Sequence, residues 1–178
     1  MGLNNLGVGQ LWAGNLADAR TSLRAARANA RELGMGLAHV SAEASLSVLQ
    51  TIDGQLASAH DRARITQQVV DRRGWAAEPQ ALGLYVALGM TLLAWDRLDD
   101  ASDAVSAGLA ASRTGTDTSC RLALGITAVG ITVAQADAVE ATSAAYRLGA
   151  ELQQVADRPG HAFPVVRGRA GAGSNDFR

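Results

Sequence analysis

The feature that most constrains this chain is a recurring interval. The clusters Leu16-Ala17-Asp18-Ala19, Leu56-Ala57-Ser58-Ala59, Leu98-Asp99-Asp100-Ala101 and Ala138-Val139-Glu140-Ala141 have closing alanines 40, 42 and 40 residues apart. A unit of that size is one supersecondary element that cannot cover its own apolar face, so successive units must stack. Ten residues before each cluster stand Leu6, Leu46, Leu88 and Ala128, followed by Gly7, Ser47, Gly89 and Val129. A small residue at three of these four positions lets two antiparallel helices approach closely, with the alanine of the second helix meeting it across the hairpin. The predicted fold is an all-α superhelical solenoid of about four antiparallel helix-turn-helix repeats with a ~40-residue period.

Turn chemistry divides the chain in the same way. Gly14-Asn15, Asp53-Gly54, Asp96-Arg97 and Asp137 fall between paired helices, where turn formers and N-caps belong. Gly34, Gly36, Gly74 and Thr114-Gly115-Thr116-Asp117 fall between repeats. The second helices carry apolar stripes, Leu16, Ala19, Leu23, Ala26, Ala30 and Leu33 in the first repeat, and Ala141, Ala145, Leu148, Leu152 and Val155 in the last. The pattern fades in the fourth unit, where Ala128, Val129 and Ala138 replace the earlier residues and no glycine marks the turn. The repeat domain is expected over 1–158, followed by a flexible Gly/Ala/Arg-containing tail over 159–178.

Composition narrows the function. The 178 residues suit one domain, and a chain that is 48% apolar but only 4% aromatic builds its core from Ala, Leu and Val, as close-packed helices do. A formal net charge of -1, with every basic residue an arginine, gives no electrostatic case for nucleic acid, so no direct nucleic-acid binding is expected. No apolar run is long enough to span a membrane, the N-terminus reads as the inside of a helix rather than a signal peptide, and Cys120 is the single cysteine. A cytoplasmic location without membrane association is expected. His39, His60 and His161 share no metal-ligand spacing, and Cys120 has no predicted His partner and reads as a buried small hydrophobe. No phosphate loop or nucleophile elbow is present. The segment is therefore expected to be non-catalytic and to need no cofactor.

Binding surfaces remain. Arg20, Arg24, Arg27 and Arg31 fall on one face of a second helix, either a docking stripe for an acidic partner or a solvated outer face partly balanced by Asp18 and Glu32. Trp75, in an inter-repeat loop beside Arg73-Gly74, is either a local plug or an interface anchor, whereas Trp12 and Trp95 are expected to plug equivalent hairpin ends in the core. Helical phase places Asn4, Val8 and Leu11, then Ala44, Val48 and Thr51, then Val86, Met90 and Leu93 on the concave surface. So apolar a lining suits a small ligand, an amphipathic partner helix or self-association, unless neighbouring repeats close over it. The expected partners are thus a protein or a small-molecule effector, with a homo-oligomer possible.

The run Leu84-Tyr85-Val86-Ala87-Leu88-Gly89-Met90-Thr91-Leu92-Leu93-Ala94-Trp95-Asp96-Arg97-Leu98-Asp99-Asp100-Ala101, continuing to Gly108-Leu109-Ala110, resembles the tetratricopeptide-like sensor region of the large LuxR-type ATP-dependent regulators related to MalT. The run Ala145-Tyr146-Arg147-Leu148-Gly149-Ala150-Glu151-Leu152 is similar to a helix near the end of that region, and the resemblance covers roughly Leu3 to Val155. It implies a repeat domain that receives an inducer or partner protein and relays it to oligomerisation and DNA binding elsewhere in the polypeptide. The ATPase loop and a DNA-reading module, parts of that family's whole, are not recognisable in this sequence. A free-standing adaptor built on the same repeats is the alternative.

Overall fold

The computed structural model describes residues 2–112, 118–136 and 138–156. They form α1 (Gly2–Trp12), α2 (Leu16–Glu32), α3 (Gly36–Ile52), α4 (Leu56–Arg73), a 3₁₀ turn (Pro79–Ala81), α5 (Leu82–Ala94), α6 (Leu98–Ser112), α7 (Thr118–Ala134) and α8 (Ala138–Ala156), with no strand among the described residues. The expected boundary at 114–117, the turn residue Asp137 and the tail over 159–178 lie outside the described residues.

The helices end where the backbone turns left-handed. Gly14, Gly54, Asp96 and Ala136 occupy one position in the four units and have φ of +80°, +75°, +58° and +56°. The next amide then reaches back five residues, Asn15 to the Gln10 carbonyl, Gln55 to Gln50 and Arg97 to Leu92, which satisfies carbonyls that a helix end would leave orphaned. Gly34 and Gly74 repeat the device between hairpins, with Met35 bonding to Ala30 and Trp75 to Val70. The expected side-chain N-cap at Asn15 is absent, and Asp53 instead turns its carboxylate to Arg20.

The small residues do bring paired helices together. A methyl group on Gly7 would lie 2.7 Å from Cγ of Leu23, and one on Gly89 would lie 2.8 Å from Cγ2 of Val105. In the second pair the hydroxyl of buried Ser47 donates to the carbonyl of Ala59 at 2.7 Å, so the small residue there also supplies a hydrogen bond. In the fourth pair Val129 fills this position, and the close approach moves one helical turn back, to Gly125 against Leu148. Gly108 against Tyr85 is the same register in the third pair, with the small residue on the opposite helix.

Each helix packs on the next in sequence, and α1, α3, α5 and α7 also touch in succession. The centre of the core lies in α3 and α5, where Val40, Val48, Leu49, Leu82, Leu84 and Val86 are almost wholly buried. A leucine so buried contributes about 1.5–3 kcal/mol. Two sequence expectations need correction. Leu33, assigned to the apolar stripe of α2, is exposed just past the helix end. Trp12 and Trp95 are also exposed rather than plugging the core. They are not equivalent: Trp12 is the last residue of α1, whereas Trp95 is one past the end of α5, and its ring lies against His60 with centroids 5.0 Å apart.

Candidate functional site

Along the row of α1, α3, α5 and α7 runs a groove of about 480 Å³. Asn4, Val8 and Leu11 enter it from α1, Ser41, Ser45 and Val48 from α3, Pro79 and Gln80 from the 3₁₀ turn, Gly83 from α5, and Ser119 and Cys120 from α7. Asn5, Gly9 and Trp12 complete the lining, so among the described residues no charged side chain and no histidine borders it.

Four of the nine residues expected on the concave face meet here: Asn4, Val8, Leu11 and Val48. The other five do not, and Ala44 is fully buried. Val86 is fully buried because α7 packs onto α5, and Met90 and Leu93 are partly buried against the same core. Thr51 turns sideways to Thr91, with their hydroxyl oxygens 2.6 Å apart, and Thr91 in turn donates to the Ala87 carbonyl. Sequence reading missed Ser41, Ser45 and Gln80. Ser41 lies one turn before the residues chosen on α3, Ser45 lies off their helical phase, and Gln80 sits in a connection whose only local signal is Pro79 at the start of the 3₁₀ turn.

Two polar atoms distinguish the groove. The Asn4 side-chain nitrogen donates to Ser41 Oγ at 3.1 Å, which aims the amide, yet its Oδ1 is buried without a hydrogen-bond partner among the described residues. Gln80 Oε1 is likewise buried and unpartnered among them. A buried unpaired carbonyl oxygen costs about 1–3 kcal/mol. Both lie at an uncharged groove bordered by apolar residues and by the polar side chains of Asn5, Ser41, Ser45 and Ser119.

The opposite side of the molecule is charged. Glu43 collects Arg62, Arg27 at 3.9 Å and His39 at 3.6 Å, while Arg62 Nε also donates to Gln50 at 2.7 Å. Arg20 pairs with Asp53 at 2.6 Å. The arginine stripe of α2 therefore divides: Arg20 and Arg27 turn toward the next hairpin, and Arg24 and Arg31 stay exposed. Trp75 is half-buried, with its ring so close to Gly36 that a methyl group there would lie 2.5 Å from Cη2, and the Arg73 guanidinium lies 5.6 Å from the ring centre. The edge of its ring thus meets the start of α3 beside the end of α4, at the open end of the second hairpin. Further along, His60, Arg64, Arg97, Asp100 and Asp103 line a second cleft. Burial lowers the His60 pKa, reinforced by Arg97 and Arg64 against the opposing pull of Asp61 and Asp100.

Among the described residues no three His, Cys, Asp or Glu side chains gather as a metal site would require, and no helix is long and apolar enough to cross a membrane. No protein-family model matches this chain, and comparison with curated proteins and with solved structures likewise gives no match.

Proposed function

We propose that this chain is a non-catalytic, tetratricopeptide-like sensor module whose α1/α3/α5/α7 groove binds a small neutral molecule. The ligand presents N–H or O–H donors on a partly apolar body, as an amide, alcohol or polyol does. The observation that carries this reading is the pair of unpartnered acceptors, Asn4 Oδ1 and Gln80 Oε1, in an uncharged groove of about 480 Å³, a volume in the usual range of ligand pockets. The solenoid reading is supported by the succession of contacts among α1, α3, α5 and α7 and by the left-handed residue at one position of all four units. The resemblance of Leu84–Ala101 to the sensor region of LuxR/MalT-type regulators supplies a setting in which ligand occupancy is relayed to flanking parts of a transcriptional regulator.

Thermal unfolding in the presence of neutral amides, alcohols and sugars tests the groove. At least one such compound is expected to raise Tm in a saturable way, since a ligand of the folded state stabilises it by linkage. Asn4→Leu and Gln80→Leu, which remove the acceptors, should each abolish the shift while the unliganded protein keeps its helical circular dichroism. A shift given only by charged compounds, or one that both variants retain, would remove the groove from consideration. The alternative, a protein adaptor, is favoured only by the exposure of Arg24 and Arg31.

A further inference from the structure

The cleft of about 550 Å³ bordered by α4, α5 and α6 sits at the second joint between hairpins, and the first joint shows what the repeat places there elsewhere. In the first joint the charges compensate one another. Glu43 on α3 takes Arg27 from α2 and Arg62 from α4, and Arg62 also donates to Gln50. The interval of 42 residues carries Glu43, Gln50 and Arg62 onto Tyr85, Leu92 and Ala104, and the interval of 40 carries Arg27 onto Gln67. All four replacements line the cleft, so the polar cluster of the first joint is missing from the second. In its place Tyr85, Leu88 and Leu92 of α5 form an apolar floor, and the one hydroxyl there already donates to the Ala76 carbonyl at 3.4 Å. The charges that remain stand on the walls. Among the described residues no ion pair joins α4 to α5 or α6. Arg97 pairs at 2.7 Å with Asp100, three residues along the same wall.

We infer that this cleft is a second binding site, which takes a short zwitterion with an apolar body, of the kind a free peptide of two apolar residues presents. Two unbalanced charges on different elements carry it. On α4 the Arg64 guanidinium donates to Gln67 Oε1 at 2.6 Å and has no carboxylate partner among the described residues; on α6 the Asp103 carboxylate has no partner among them. The bond to Arg64 uses the acceptor of Gln67 and leaves the N–H groups of that amide to join the guanidinium in holding a ligand carboxylate. Asp103 is placed to take the ligand ammonium, and the body between the two charges lies on Tyr85, Leu88 and Leu92, where Ala104 in place of an arginine leaves room. Burial keeps His60 toward its neutral form, so Arg64 and Arg97 balance Asp100 and Asp103 and the lining carries no net charge. A simple anion would meet Asp103 with nothing to offer it, and a simple cation would do the same at Arg64. The volume is in the usual range of ligand pockets, and the cleft shares no residue with the α1/α3/α5/α7 groove, so the two sites stand or fall separately.

Isothermal titration calorimetry with leucyl-leucine, its N-acetyl form and its C-terminal amide tests the site. The free dipeptide is expected to bind saturably, and each blocked form, which lacks one charge, to bind about tenfold more weakly. Arg64→Gln should weaken the free dipeptide and the N-acetyl form, which keep the carboxylate, and leave the amide unaffected. Asp103→Asn should weaken the free dipeptide and the amide, which keep the ammonium, and leave the N-acetyl form unaffected. Both side chains are exposed, so folding is retained and is checked by circular dichroism. No saturable heat from leucyl-leucine, equal affinity for the free and blocked forms, or variants that change all three peptides alike or none of them overturns the inference.

Discussion

Single glycines set how near the paired helices lie, and their substitution should separate into two opposite effects. Gly108 sits where a methyl group would lie 2.6 Å from Cβ of Tyr85 and 2.9 and 3.0 Å from the Leu124 methyls. A methyl group on Gly149 in α8 would meet nothing within 4 Å among the described residues. Alanine is the better helix former by about 1 kcal/mol, yet overpacking a tight core costs about 1–3 kcal/mol. Gly108→Ala is therefore expected to lower stability by up to about 2 kcal/mol, and Gly149→Ala to raise it by about 0.5–1 kcal/mol, both read from urea unfolding. Equal effects of the two substitutions would contradict the packing described. The same scale shows what the sequence concealed. Gly7 and Gly89 were legible as close-approach positions because the requirement is local to a hairpin. Val86 was not, because helical phase gives a direction about one axis, whereas burial depends on where α7 comes to rest.

Among the elements, the turns carry the most regular information. Three turn positions were readable as Gly14, Gly54 and Asp96, residue types that tolerate left-handed backbone. Ala136 occupies the same conformation with neither the freedom of glycine nor the local hydrogen bonding of aspartate, which is why the fourth turn was faint in the sequence. Ala136→Gly should remove strain of about 1–2 kcal/mol, offset in part by the extra freedom glycine gives the unfolded chain, for a net gain near 1 kcal/mol. Thermal unfolding checks this, and a lower Tm would mean that the residue is not held left-handed. The 3₁₀ turn over Pro79–Ala81 is the opposite case. Its proline was visible, but the enclosure of Gln80 Oε1 follows from the packing of the turn on α3 and α5 and leaves no local mark.

For the whole molecule, the all-helical architecture followed from the 40-residue interval, while five of the nine residues expected on the concave face lie outside the groove, Ala44 and Val86 among them buried by the stacking that the interval itself demands. The regulator reading has a consequence at this scale. An antibody against Leu84 to Arg113 should detect, in the native source, a polypeptide well above the 18.4 kDa of this chain, one that also carries ATPase and DNA-binding parts. A native band at that mass would instead favour the adaptor. The first two of the three joints between hairpins also differ as mechanical parts. Between α2 and the following hairpin, Arg20–Asp53 and Arg27–Glu43 act as cross-braces. At the same position of the next joint the only brace described is the tilted contact of His60 with Trp95, beside the chain's longest described link, 74–81. Considered as a spring, the molecule has a first joint whose stiffness slackens as added salt screens its braces and a second joint, with a ring contact in place of those ion pairs, that salt changes less. A bending load in dilute buffer should therefore flex the protein at the link before α5, and in brine spread more evenly along its length.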